Sequence, residues 1–265
     1  MKRAYFGVFA ILLVSLAAFA SASFFAGDEM EDLGLAKASF PKTLFGSDAG
    51  DQLAAKNTAV PEKKVKDSKK AKIDTTSKCI LFIGDSMLEG LSPRLAAYAE
   101  ENGDKLNSVI WYSSSTEWWA VSGRVTMYIK KYKPDYIFIC LGGNELFVRN
   151  IKEKRTKYVK QIVSEFGDIP YIWIGPPNWK DDTGYNEMVQ SVVPKGRFYL
   201  SYTPDQHYDR SKDGAHPTRP SAYKWMDRVC KWVMEKSDSP IRLKEPQKVK
   251  ANCHTEYLSP KLAPL

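Results

Sequence analysis

The sequence predicts an α/β fold, with a parallel five-stranded sheet in a three-layer α/β/α sandwich. Three observations predict it. Short runs that are apolar at almost every position, such as "CILFIG" (79–84) and "YIFIC" (136–140), alternate along the chain with longer segments of helical spacing. A strand with no polar alternation has both faces covered, as in a parallel sheet between two helical layers. The apolar runs also end in polar, glycine-containing clusters, and an open parallel sheet collects its functional groups at the carboxyl ends of its strands.

The elements follow in order. Residues 78–84 form the first strand. Residues 87–103 have helical spacing and stop at Asn102-Gly103, a C-terminal signal. Residues 107–113 are the second strand, 118–132 a helix and 135–143 the third strand. An amphipathic helix over 150–167 ends at Gly167, residues 170–177 and 196–202 supply strands four and five, and 221–236 closes with a helix. The catalytic-type domain is therefore placed at 77–237, and the proline-rich stretch 238–265 reads as an irregular tail.

The N-terminal part has a different texture. Lys2 and Arg3 precede an uncharged run over 4–27, with small residues at Ala18, Ala20 and Ala22 that suit cleavage. The run is also about long enough to cross a bilayer, for which ~20 residues suffice. Residues 1–27 are expected to act as a signal peptide or an anchor, which puts the protein in the periplasm or cell envelope. Residues 28–76 are polar and aperiodic and read as a disordered linker. Seven lysines between positions 56 and 72, against Glu62 and Asp67, give that linker much of the net charge of +8. An anionic membrane surface is a fitting partner for it. The remaining charge is nearly balanced, which argues against a nucleic-acid-binding domain.

Four cysteines, Cys79, Cys140, Cys230 and Cys253, include no C-x-x-C pair, so no zinc or redox motif is expected. A bond between Cys230 and Cys253 would tie the tail to the last helix. His207 and His254 read as surface histidines.

The strand ends carry the chemistry. They read Gly84-Asp85-Ser86, then Ser113-Ser114-Ser115-Thr116, then Gly142-Gly143-Asn144-Glu145, then Gly175-Pro176-Pro177-Asn178. A later loop holds Asp213-Gly214-Ala215-His216. Ser86 sits where a helix begins, so free backbone N–H groups lie close to it. A serine hydroxyl needs a base to become a nucleophile. His216 suits that task near neutral pH. Asp213, three residues earlier, can reach the far side of its imidazole. Asn144 can donate a side-chain N–H to a developing oxyanion. Asp85 is assigned to bracing the loops.

These blocks resemble the SGNH hydrolases, also called the GDSL esterase/lipase superfamily. "GDSM" (84–87), "GGNE" (142–145) and "DGAHP" (213–217) match that family's pattern in order, with Glu145 where an aspartate is usual. The resemblance spans about 78–236 and implies a flavodoxin-like sheet. It also implies acyl transfer by Ser86, His216 and Asp213 through an acyl-serine, with an oxyanion hole of Ser86, Ser115 and Asn144 and with neither cofactor nor metal. Ser115 stands where the family usually has glycine. Trp118, Trp119 and Trp179 are candidates to border the mouth and stack on sugar rings.

The function expected first is an exported esterase acting on O-acetyl groups of envelope or surface carbohydrate. The alternative is a membrane-tethered polysaccharide O-acetyltransferase using the same serine and fed by a membrane-embedded acyl donor. A third is a non-catalytic glycan-binding module.

Overall fold

A computed structural model describes residues 71–260. The expected signal or anchor at 1–27 and nearly all of the linker at 28–76 lie outside these residues.

The first strand, β1 (Cys79–Gly84), leads into α1 (Leu88–Asn102), β2 (Lys105–Trp111), α2 (Thr116–Val121) and α3 (Arg124–Tyr132). Then come β3 (Tyr136–Cys140), α4 (Ile151–Phe166), β4 (Tyr171–Ile174), α5 (Tyr185–Gln190), β5 (Phe198–Tyr199), α6 (Arg219–Lys236) and β6 (His254–Leu258). The sheet order is β5-β4-β3-β1-β2-β6, with every pairing parallel.

The apolar strands are buried on both faces, as their composition requires. In β1, Ile80 and Phe82 join one core with Leu88, Leu91 and Leu95 of α1 and Trp225, Val229 and Val233 of α6. Leu81 and Ile83 point the other way, into a second core with Trp119, Val125, Val159, Ile162 and Tyr185 from α2 to α5. The sheet thus separates two helical layers.

The chain leaves β1 for β2 on one side and later returns to place β3 on the other. The carboxyl ends of β1 and β3 therefore face a topological switch point, where such sheets form their crevice. Gly84 and Cys140 are opposite one another there.

Three expectations are corrected. The helix expected over 118–132 is two helices, because Gly123 turns the chain at φ +68° after Ser122. The sheet has six strands rather than five, and the stretch after Ser237 is not an irregular tail. Ile241 bridges to Asp74 beside the sheet, Leu243 is fully buried, and β6 pairs along β2. Polar bonds secure this segment: Asn102 Nδ2 donates to the Lys244 carbonyl at 3.0 Å and the Lys244 N–H donates to Asn102 Oδ1 at 3.0 Å. Buried Arg94 joins Asp227 at 2.6 Å and also donates to the Lys248 carbonyl. The Cys230–Cys253 bond is the third correction, since all four cysteines are free thiols. Cys230 is fully buried in α6, and Cys253 rests against Thr255.

Candidate active site

Ser86 follows β1 by two residues and precedes α1 by two. Gly84 makes the turn fit, because a Cβ there would lie 2.1 Å from the Cys140 carbonyl oxygen and 2.6 Å from Leu88 Cδ1. The Asp85 N–H donates to the Cys140 carbonyl at 3.2 Å, which locks the loop to the end of β3. Asp85 is 1% exposed, and its Oδ1 accepts the Met87 N–H at 3.0 Å. Its Oδ2 is buried beside Gly143. Burial raises its carboxyl to about 7, opposed by the Met87 N–H and by the nearby His216. Asp85 braces the turn while Ser86 remains accessible.

Ser86 Oγ lies 2.7 Å from His216 Nε2. On the other side of the ring, Nδ1 lies 2.6 Å from Asp213 Oδ2. The second carboxylate oxygen, Oδ1, accepts the N–H groups of Ala215 at 2.9 Å and His216 at 3.0 Å and the Ser211 hydroxyl at 2.8 Å. Those two backbone N–H groups, then the His216 ring and Ser211, hold the Asp213 carboxyl well below the usual carboxylate range. The Asp213 side chain is 51% exposed, so the loop's own donors, more than burial, fix its orientation. With Nδ1 facing a carboxylate, Nε2 is the nitrogen left to take a proton from Ser86.

The second and third strand ends meet beside Ser86. Asn144 Nδ2 donates one proton to the Ser114 carbonyl at 3.0 Å, and an amide carries a second. Ser115 caps α2: its φ is −126°, and its Oγ accepts the Trp118 N–H at 3.3 Å. Left-handed geometry falls two residues earlier, at Ser113 with φ +57°. Ser113, not Ser115, lines the cleft with Ser86. Buried Glu145 accepts the Thr116 N–H at 2.8 Å and hydroxyl at 2.9 Å, and pairs with Arg155 at 3.0 Å. Burial raises its carboxyl, against these bonds.

Ser86, Asp213 and His216 open into a cleft of about 650 Å³. Among the described residues, no group of three or more His, Cys, Asp or Glu side chains converges to hold a metal ion.

No protein-family model and no curated sequence matches the chain. Similar solved structures include a lipase/acylhydrolase from Enterococcus faecalis, 17% identical, covering 61% of this chain and 100% of that one at a TM-score of 0.47. The family 3 carbohydrate esterase of Clostridium thermocellum is 14% identical over 59% of this chain and 94% of that one, at 0.43. Esterase EstA from a Pseudoalteromonas species is 13% identical over 58% and 96%, at 0.44.

None of the three tryptophans lines the Ser86 cleft. Trp119 is fully buried; it packs edge-on against Trp111, and its Nε1 donates to Ser114 Oγ at 3.0 Å. Trp118 is half-buried and also lies against Trp111, 5.4 Å between centroids. Both belong to helix–sheet packing, because the helical register of α2 turns them toward β2. Trp179 donates to the Gly143 carbonyl at 2.7 Å and lines a separate cleft of about 550 Å³ with Asn178, Lys180 and Tyr202. The aromatic residues lining the Ser86 cleft are instead Tyr112, at the end of β2, and Tyr257 of β6. Tyr112 ends an apolar run, a signal the sequence did hold. Tyr257 depends on β6, which the sequence concealed.

Proposed function

We propose that the protein is an exported serine esterase that removes acyl groups, foremost O-acetyl groups, from cell-envelope or surface carbohydrate. The supporting observation is the continuous hydrogen-bonded line Ser86–His216–Asp213 at the mouth of a cleft.

Ser86 Oγ attacks the ester carbonyl carbon as its proton passes to His216 Nε2. Asp213 stabilises the imidazolium through Nδ1. The carbonyl oxygen becomes an oxyanion, which the second Asn144 Nδ2 proton and the backbone N–H of Ser86 would receive. Collapse breaks the bond to the sugar oxygen, which leaves as a hydroxyl with the His216 proton. Water then gives its proton to His216 and attacks the acyl-Ser86, and acetate departs as Ser86 recovers the proton.

The test follows acetate and phenol release from an aryl acetate, with intact mass taken during turnover, for wild type and Ser86→Ala. Steady release that Ser86→Ala abolishes supports the esterase. An acetyl-Ser86 adduct that persists until a sugar acceptor is added favours the second reading, an O-acetyltransferase. The uncharged run at 4–27 and the lysine-rich stretch behind it, which suit a membrane tether, favour that second reading. A folded protein giving neither release nor adduct refutes the nucleophile and leaves the non-catalytic glycan-binding module.

A further inference from the structure

The C-terminal strand reaches the reaction cleft. The parallel pairing of β6 with β2 places Tyr257 opposite Ile110 and Leu258 opposite Trp111. The Tyr112 N–H donates to the Leu258 carbonyl at 3.2 Å, which extends the ladder to the rim. The Tyr257 ring stacks on Tyr112 with centroids 6.2 Å apart and planes 13° from parallel. Tyr257 is nonetheless 61% exposed. Glu89, from the first turn of α1, accepts the Tyr112 hydroxyl through Oε1. Both tyrosines and Glu89 line the same cleft as Ser86 and His216, with Arg219 among the other lining residues.

An exposed tyrosine on an edge strand, held parallel to a second tyrosine, keeps a flat apolar face toward water. Tyr112 fixes its tilt, and Glu89 fixes Tyr112. The cleft lining combines an apolar ring face with a carboxylate that accepts and a guanidinium that donates. A pyranose ring has the complementary surface: a face of C–H bonds for the aromatic plane and a rim of hydroxyls for Glu89 and Arg219. A fatty acyl chain would satisfy neither charged group, and Glu89 opposes an anionic headgroup.

We infer that Tyr257, Tyr112 and Glu89 form a pyranose-binding subsite that presents the esterified sugar to Ser86, so that β6 completes the substrate site. This rests on the esterase reading of Ser86. The subsite's natural ligand class is neutral or N-acetylated oligosaccharide. Tyr257 acts in specificity, and Tyr112 and Glu89 position it.

The test separates binding from turnover. Binding uses the full chain carrying Ser86→Ala, titrated with cello-, xylo-, manno- and chito-tetraose and followed by ligand-observed NMR and calorimetry. At least one should bind, with Tyr257→Ala weakening it about tenfold or more, as the loss of an aromatic stacking surface predicts. Tyr257→Phe should restore binding, because the ring face is kept. Turnover uses the chain with Ser86 intact, on the O-acetylated form of the best ligand. Tyr257→Ala should raise KM about tenfold with kcat nearly kept, while Glu89→Gln shifts KM in the same direction. Binding by no sugar, or equal binding by wild type and Tyr257→Ala, overturns the subsite even if aryl acetate is hydrolysed. Tyr257-dependent sugar binding without hydrolysis of any ester upholds the subsite and refutes the esterase reading.

Discussion

Gly84→Ala tests the junction on which fold and site both depend. The added methyl would lie 2.1 Å from the Cys140 carbonyl oxygen, whereas Cβ atoms essentially never approach within 3.0 Å. The gap must open by at least about 0.9 Å (3.0 − 2.1), and the opposing atom is backbone, so no side chain can swing aside. The Leu88 Cδ1 contact at 2.6 Å adds to the crowding. Overpacking of this kind costs about 1–3 kcal/mol. For a domain of this size that lowers Tm by about 2–12 °C. The same movement strains the Asp85 N–H bond to Cys140 and carries Ser86, two residues on, away from His216. A misplacement near 1 Å is worth about 10²-fold in rate. Thermal unfolding monitored by circular dichroism and aryl acetate turnover read the two effects separately. A variant within 1 °C and within twofold of wild type would refute the argument that this glycine sets the nucleophile's position.

Asp213→Asn keeps an acceptor for the Ala215 and His216 N–H groups and removes the charge beside Nδ1. Buried triads lose about 10⁴-fold on this change. The Asp213 side chain is half exposed and solvent screens it, so a loss of about 10²-fold in kcat is expected from steady-state kinetics. A loss as deep as that of Ser86→Ala would contradict it. Asp85 predicts a pH dependence of stability. Its folded carboxyl titrates near 7 against a reference of 3.8, so the folded state binds the extra proton, and stability falls as pH rises from about 4 to about 7. Asp85→Asn removes up to about 4 kcal/mol of this penalty above pH 7 and little at pH 4. Denaturant titrations at the two pH values should therefore show the variant gaining on wild type only at the higher one, and a gain independent of pH contradicts the assignment. Leu243→Ala truncates a fully buried side chain in the segment after α6 and should cost about 2–5 kcal/mol, or roughly 4–20 °C in Tm. An unchanged melt would return that segment to the status of a tail.

What the sequence revealed, and what it hid, follows from how each element is stabilised. β1 and β3 declare themselves because both of their faces are buried, so every position is apolar. Ser86, Asn144, Asp213 and His216 stood out as an ordered set of blocks, since each alone also reads as a helix cap or a loop residue. β6 was illegible for the converse reason. It is an edge strand, half exposed, reading His-Thr-Glu-Tyr-Leu, and its tether runs through Asn102, Arg94 and Arg242 to main-chain atoms, bonds that leave no periodic pattern. The sequence left the tryptophans open between the cleft rim and helix–sheet packing, because a residue type says nothing of which helical face it occupies. Trp118 and Trp119 fall on the face of α2 that meets β2, and only the register of Thr116–Val121 decides that.

Two departures from the resembled pattern are coupled in space. Where glycine is usual, this chain has the serine run 113–115, and where aspartate is usual it has Glu145. The extra methylene lets the Glu145 carboxylate span both the N–H and the hydroxyl of Thr116, at the start of α2. Arg155 offsets the cost of burying that charge, and Arg155 also reaches Glu117 at 2.7 Å, one residue further along α2. Asn144, adjacent to Glu145, grips the Ser114 carbonyl from the other side. The serine loop is thus held at Ser114 and at Thr116 by neighbouring residues of one block, so these bonds, and no glycine, set its conformation there. Ser113 adopts the left-handed turn, leaving Ser115 in ordinary extended geometry as a helix cap. Glu145 and Asn144 together fix the backbone from Ser114 to Thr116 by hydrogen bonds, in a stretch that contains no glycine.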